Sequence, residues 1–356
     1  MVLIEAVFWT SLLVAGYVYV GYPMLLGAWS RLAPRPVSRN LTQSGWEPTV
    51  SVVIAAHNEH ATISRKIDNC LSLDYPRDKV QVVVSLDGPT DGTDRLVRER
   101  VPAIDVVGTS RHQGKAAALN RAVAAATGDI VVFCDARQRV EMGALRELVA
   151  NFEDPSVGAV TGELILVGDD GTEAADGVGL YWRYEKALRA MESRIHSTVG
   201  ATGALYAIRR QLFVPLPEET ILDDVMVPLH VVLGGKRIVW EPRAKAYDQV
   251  CPPELEFQRK VRTLAGNFQL LALMPQVLRP WRNPVFVQFL SHKVGRLLVP
   301  YCLVLLFASN LLLREGLYMV FLLGQGTWYV LAGVGAFADR TTRHRPELLL
   351  KGESQP

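Results

Sequence analysis

Val50-Ser-Val-Val-Ile-Ala-Ala56 is a seven-residue run with four β-branched positions. It follows a linker containing Pro34, Pro36 and Pro48 and precedes His57-Asn58-Glu59. A short apolar run of this kind, with no polar alternation, reads as a strand buried on both faces of a parallel sheet. Beyond Asn58-Glu59, the residues Ile63, Ile67, Cys70 and Leu71 recur at helical spacing. Val80–Leu86 is a second strand ending at Asp87-Gly88, Thr90–Arg100 a second helix and Ile104–Val107 a third strand. Lys115–Ala126 is an Ala-rich helix, and Ile130–Cys134 a fourth strand running into Asp135. Strand and helix alternate, which predicts an α/β fold of Rossmann-like, mostly parallel sheet. Ligands of such sheets sit beyond the carboxyl ends of the strands, where His57, Asp87 and Asp135 fall.

The chain has 356 residues, 49% apolar and 21% charged, enough for two or three domains. Its mean hydropathy of +0.15 is high for a soluble enzyme, and the apolar excess lies at the two ends. Between Glu5 and Arg31 there is no charge for roughly 25 residues, long enough to cross a bilayer and longer than a signal peptide's apolar core. Leu297–Leu313 and Gly316–Ala338, separated by Arg314-Glu315, read as a helical hairpin of two more spans. Positive residues collect at Arg31, Arg35 and Arg39, at Arg279, Arg282, Lys293 and Arg296, and at Arg340, Arg343 and Arg345. The positive-inside rule then places the N-terminus outside and the middle of the chain in the cytosol of a multi-pass cell-membrane protein. Cys70, Cys134, Cys251 and Cys302 lack metal-ligand spacing and suit a reducing compartment. A formal charge of +2 lacks the basic excess of a nucleic-acid binder. The expected organisation is an anchor over 1–33, a linker over 34–48, a cytosolic domain over 49–250, an amphipathic interfacial helix region over 251–296, a transmembrane hairpin over 297–338 and a cytosolic tail over 339–356.

Several nucleotide and metal fingerprints fail. Gly114-Lys115 is followed by Ala116, where a phosphate loop needs a hydroxyl, and no Gly-x-Gly-x-x-Gly follows the first strand. His57 and His60 are three apart on a loop, unlike the helical His pair of a metalloprotease.

Five stretches carry a resemblance: Val53-Ile-Ala-Ala-His-Asn-Glu59, Leu86-Asp-Gly-Pro-Thr-Asp-Gly-Thr93, Gly114-Lys-Ala-Ala-Ala-Leu-Asn120, Gly128-Asp-Ile-Val-Val-Phe-Cys-Asp-Ala136 and Leu222-Asp-Asp224. Together, in this order, they resemble the motifs of family 2 glycosyltransferases, over roughly Thr49 to Gln276. The flanking apolar segments extend the likeness to the cellulose synthase-like and hyaluronan synthase-like membrane branch. The resemblance implies a GT-A fold, a nucleotide-diphosphate sugar donor, a divalent cation (Mg or Mn) and inversion at the sugar. It assigns His57, Glu59 and Asp87 to nucleotide contact, with His57 against the nucleobase. It puts Lys115 on the nucleotide segment, Asp135 near ribose and metal, and Asp224, beside Asp223, at the general base. Such residue types suit the chemistry: a departing diphosphate needs positive charge, and an attacking hydroxyl needs a carboxylate to take its proton.

Two departures stand out. The Asp-x-Asp motif reads Asp135-Ala136-Arg137, so a cation replaces the second carboxylate and argues against a full metal site. His230, seven residues after Asp223 and on the same helical face, is a candidate replacement ligand. Where the membrane polysaccharide synthases carry Gln-x-x-Arg-Trp, this chain has Arg259-Lys-Val-Arg262-Thr263. Arg259 and Arg262 lie on a helix with the apolar stripe Val261, Leu264, Phe268 and Leu271, which suits lipid headgroups or a pyrophosphate. Trp182 and Tyr184 suit either an acceptor groove or core packing. The expected activity is inverting transfer of a hexosyl group to a lipid-linked or glycan acceptor. The alternatives are a processive polysaccharide synthase and a non-catalytic nucleotide-sugar-binding membrane protein. With three spans and Thr263 in place of the Trp, transfer of one or a few sugars is preferred to processive export.

Overall fold

A computed structural model describes residues 1–38, 46–168, 179–251, 253–313 and 315–343. Arg39 and Arg345, invoked above for orientation, and residues 344–356 of the tail lie outside the described residues. In chain order the main elements are α1 (Val2–Leu32), β1 (Val50–Ala56), α2 (Ile63–Leu71), β2 (Val80–Asp87), α3 (Thr93–Arg98), β3 (Asp105–Thr109), α4 (Lys115–Ala125) and β4 (Ile130–Phe133). There follow β5 (Arg139–Val140), α5 (Ala144–Ala150), β6 (Val157–Val167), α6 (Gly179–Ile195), β7 (Tyr206–Arg209), α7 (Asp223–Leu233), β8 (Arg237–Gln249), α8 (Pro253–Leu273), α9 (Phe286–Asn310) and α10 (Leu317–Arg343).

The chain forms two compact units, Pro23–Val294 and Met1–Tyr22 with Gly295–Pro356. The first is built on an eight-stranded sheet in the order β3-β2-β1-β4-β7-β6-β8-β5. β1 pairs in parallel with β2 and β4, and β2 with β3, as the alternation of strand and helix predicts. β7 runs antiparallel to both β4 and β6, and β5 antiparallel to β8, so the sheet is mixed. Alternate residues of β1 feed two cores, Val52 and Ile54 on one face, Val53 on the other. The first core is closed by Ile63, Ile67 and Cys70 of α2 and by Leu145 and Leu148 of α5. The second is closed by Leu119 and Val123 of α4, Met226 and Leu229 of α7, and Leu270 of α8. Each such fully buried aliphatic side chain contributes about 1.5–3 kcal/mol, and this two-sided burial pins β1 at the centre of the sheet.

In the second unit, Phe8 is fully buried, edge-on to Tyr318 at 5.0 Å and Phe321 at 5.6 Å, and clusters with Leu306 and Leu313. Among the described residues, three helices are long and apolar enough to cross a membrane: Val2–Leu32, Phe286–Asn310 and Leu317–Gly335. The second begins eleven residues before the charge-free segment read from the sequence, because the chain is already helical through His292, Lys293 and Arg296. Its charged start is accommodated inside the first unit, where buried His292 lies 2.7 Å from Glu192 Oε1 and 3.3 Å from Glu185 Oε2 of α6. No residue in the spanning window of the last helix is fully buried, and Leu317, Val320, Leu323, Trp328, Val330, Leu331 and Val334 are exposed, an arrangement that suits hydrocarbon rather than water.

Candidate active site

The site is assembled by loops leaving β1, β2 and β4 and by the start of α7. Parallel register sets Ala56 of β1 beside Leu86 of β2, so the residues that follow, His57 and Asp87, emerge as neighbours. Gly88 then turns the chain at φ +59°, and a Cβ there would lie 2.4 Å from the His112 nitrogen. Only glycine allows that approach, and it brings the 111–114 segment onto Asp87.

Asp87 is 2% exposed and its carboxylate is occupied. It accepts from the backbone N–H groups of Gln113 (3.0 Å) and Gly114 (2.8 Å) and from Arg121 (2.9 Å), while His112 Nδ1 lies 2.8 Å away. Burial pushes its pKa up, but these donors outweigh it and hold the carboxyl below the usual range. Asp87 therefore organises the 112–114 segment and Arg121 of α4. The groups left facing outward are the rings of His57 and His112, 4.0 Å apart, with His57 Nδ1 donating to the Asp87 carbonyl at 2.7 Å. His112 was not singled out in the sequence, although its position two residues before Gly114-Lys115 was a usable signal. Glu59 is engaged locally: its carboxylate accepts from the Thr62 hydroxyl at 2.7 Å, and its backbone carbonyl accepts from Ile63 N–H at the start of α2. Asn58, Asp91 and Thr93 of the motifs stitch the two loops together, with Thr90 N–H donating to Asn58 Oδ1 and His60 N–H to Asp91 Oδ2.

The charged centre lies around Lys115, the first residue of α4. Its Nζ is 2.9 Å from Asp135 Oδ1 and 3.1 Å from Asp223 Oδ1, which joins the end of β4 to the start of α7. Burial opposes the Lys115 charge, but Asp223, Asp135 and Asp224 together raise its pKa, so the ammonium is permanently charged. Asp224 is half-buried beside this pair. Burial first, then the charge of Asp223, pushes its carboxyl up to about 6 against the partial relief of Lys115 and Lys293. Asp224 Oδ2 and Asp135 Oδ2 both face Gly203, where a Cβ would stand 3.3 and 3.7 Å from them. Glycine leaves that space between the carboxylates open. Tyr206 is buried, stacked on Phe133 at 4.5 Å, and its hydroxyl has no hydrogen-bond partner among the described residues.

Other sequence candidates fall elsewhere. Arg137 turns away from Asp135 and pairs with Asp248 of β8, which also accepts from Gln138 at 3.0 Å. His230 lies in the last turn of α7; seven residues of helix is a rise of about 10 Å from Asp223, two turns too far to share an ion. Arg259 and Arg262 sit on α8, half-buried and exposed respectively, and neither pairs with an acidic side chain among the described residues. Trp182 packs in α6 under Arg189, whose guanidinium is 5.9 Å from the ring centroid. One contact that the sequence did not announce reaches the centre from α8. Gln269 Oε1 accepts from Ile221 N–H at 2.9 Å, and its amide donates to Glu219 O at 2.8 Å. A Cβ on Gly266 would lie 2.6 Å from Leu222 Cγ. Helix α8 is thus clamped onto the three residues that lead into Asp223-Asp224.

The domain is a mixed α/β fold with acidic and basic side chains gathered at its strand ends. Residues 51–214 match the model of glycosyl transferase family 2. The chain is 30% identical over 201 residues to the beta-monoglucosyldiacylglycerol synthase of Synechocystis, covering 52% of this chain and 40% of that protein. It is 27% identical over 237 residues to the poly-beta-1,6-N-acetyl-D-glucosamine synthase of Staphylococcus aureus, covering 62% of this chain and 55% of that one. The chain therefore spans roughly half the length of the curated relatives it matches. Among solved structures it is similar to the mannosyltransferase PcManGT of Pyrobaculum calidifontis in complex with GDP-Man and Mn2+, at 26% identity and a TM-score of 0.73, covering 92% of each chain.

The residues present fit a divalent cation at the Asp135 end of the centre. Two carboxylate oxygens converge on the open space above Gly203, and after burial the charges of Asp223 and Asp135 help to raise Asp224. Among the described residues, His57, Asp87 and His112 also bring three ligand atoms within 4.8 Å of one another. There, however, the Asp87 oxygens already serve four donors.

Proposed function

We propose that this protein is a membrane-bound inverting glycosyltransferase that moves a sugar from a nucleotide-diphosphate donor to a lipid-linked or glycan acceptor at the cytosolic face. The observation that carries the reading is the centre around Lys115. It pairs a fixed ammonium with a carboxylate whose pKa of about 6 suits a general base near neutral pH. The nucleotide lies along the 111–115 segment with its base against the His57 and His112 rings, and the diphosphate faces Lys115. Asp224 takes the proton of the acceptor hydroxyl as the oxygen attacks the anomeric carbon. The bond from that carbon to the diphosphate oxygen breaks, and the nucleoside diphosphate leaves with the electron pair. Asp135, whose Oδ2 faces Gly203, is the residue that would hold a divalent cation, which when bound supplies positive charge to the departing diphosphate. Asp135 and Asp223 are both paired with Lys115, which leaves Asp224 as the carboxylate that acts as base in one displacement, hence inversion.

The membrane assignment draws on the three apolar helices and on α8, which exposes Leu255, Phe257, Val261, Leu264 and Phe268. A helix with that face and with Arg259, Lys260 and Arg262 beside it suits the headgroup boundary of a bilayer. The lipid product named for the Synechocystis relative supports a lipid acceptor.

The test uses purified full-length protein in detergent with a panel of nucleotide sugars, reading nucleoside diphosphate release with and without added membrane lipid. One or two donors should turn over, faster with lipid or glycan acceptor present. Tight donor binding without release under any acceptor would identify a binding protein instead.

A further inference from the structure

At the far end of α7 from the catalytic aspartates lies a cavity of about 590 Å³, lined by His230, Leu233, Pro275, Gln276, Arg279 and Arg282. Its two arginines are exposed, and neither forms an ion pair among the described residues. The turn that carries them is held firmly. Arg282 N–H and Asn283 N–H both donate to Arg279 O, at 3.0 Å each. The buried Asn283 side chain donates to Val277 O at 2.7 Å and accepts from Val285 N–H at 3.0 Å. At the carbonyl end of α7, where free carbonyls would disfavour an anion, His230 O, Val231 O and Val232 O already accept from Gly234, Lys236 and Gly235. Gln276 and His230 add neutral polar groups to the wall. Trp281, between the two arginines, is 79% exposed, Leu278 is 41% exposed, and the apolar helix α9 begins at Phe286.

Two unpaired guanidinium groups on a fixed turn, facing a cavity with a polar wall, match the charge and hydrogen-bonding needs of a phosphate group. An exposed Trp and Leu beside them, just ahead of a spanning helix, match the apolar side of an interface. We infer that this cavity is a binding site for a phosphate-bearing anion, separate from the diphosphate site around Lys115. The chemistry is shared by two sources, a phospholipid headgroup at the membrane surface and free phosphate.

Full-length protein in phosphatidylcholine nanodiscs, titrated calorimetrically with inorganic phosphate and with water-soluble dihexanoylphosphatidylglycerol, distinguishes them. At least one probe should bind saturably at a single site. Its affinity should fall by about tenfold or more in the Arg279→Gln/Arg282→Gln double variant, and also as salt is raised. Tighter binding of the lipid probe identifies a headgroup site; tighter binding of inorganic phosphate identifies a soluble anion. Leu233→Glu, which brings a carboxylate to the wall while keeping both arginines, should abolish binding and covers the case in which the double variant does not fold. Absence of saturable binding, or equal affinities in wild type and variants, overturns the inference.

Discussion

Replacing Asp224 by Asn removes the proposed proton acceptor while keeping the side chain's shape, and the structure makes two opposed claims about the result. Turnover should fall by about two to four orders of magnitude, with donor affinity changed only a few-fold, because the lost group acts on the acceptor proton. Stability should rise. In the folded protein, burial and Asp223 hold the Asp224 carboxyl at about 6 against a usual value of 3.8. A carboxyl raised in the folded state retains its proton better there than in the unfolded chain. Folding is therefore favoured most at low pH and loses that contribution as pH climbs from 4 through 6. The full shift corresponds to about 3 kcal/mol, and solvent access to this half-buried side chain reduces it to about 1–2 kcal/mol. At pH 8 the Asn variant should melt a few degrees above wild type, and near pH 4 the gap should close. Initial rates of nucleoside diphosphate release and melting curves at the two pH values measure both effects. An Asn variant that turns over normally, or that melts below wild type at pH 8, would refute the reasoning.

In wild type the same carboxyl should give an acid limb in the pH–rate profile near pH 6, and Lys115→Met should move that limb upward, since Lys115 is what lowers the Asp224 pKa. An unmoved limb would place the base outside this cluster. Gln269→Ala removes both clamps on the 219–221 segment and should lower kcat about tenfold while leaving donor KM within a few-fold; equal losses in kcat and KM for an intact fold would make Gln269 a purely structural residue. Arg137→Asp sets a carboxylate against Asp248 and should lower stability without tightening the manganese titration. A tighter titration would show that position 137 reaches the diphosphate.

The β-branched runs at Val50–Ala56 and Ile130–Phe133 and the polar residues ending them were legible because strand burial and strand-end chemistry are local signals. Lys115, Asp135 and Asp223 were legible singly, and the sheet brings them together. Partners distant in sequence were not readable. Arg137 meets Asp248 across 111 residues and Gln269 meets Ile221 across 48, contacts set by the antiparallel half of the sheet and by the docking of α8. Glu59 was readable in type but not in role, since a carboxylate three residues before Thr62 serves a helix start as readily as a ligand. His230 shows the limit of facial reasoning, because sharing a helix face fixes direction and not distance. The charge-free rule likewise shortened α9, since His292, Lys293 and Arg296 continue the helix.

A single displacement driven by Asp224 leaves its mark in the anomeric configuration of the first product. Proton NMR of the product formed by wild-type enzyme from a donor of known configuration, acquired during initial turnover, reads the anomeric coupling constant of the transferred sugar. The product should have the configuration opposite to that of the donor, and its signal should be lost in Asp224→Asn. A product that keeps the donor's configuration would contradict a single displacement.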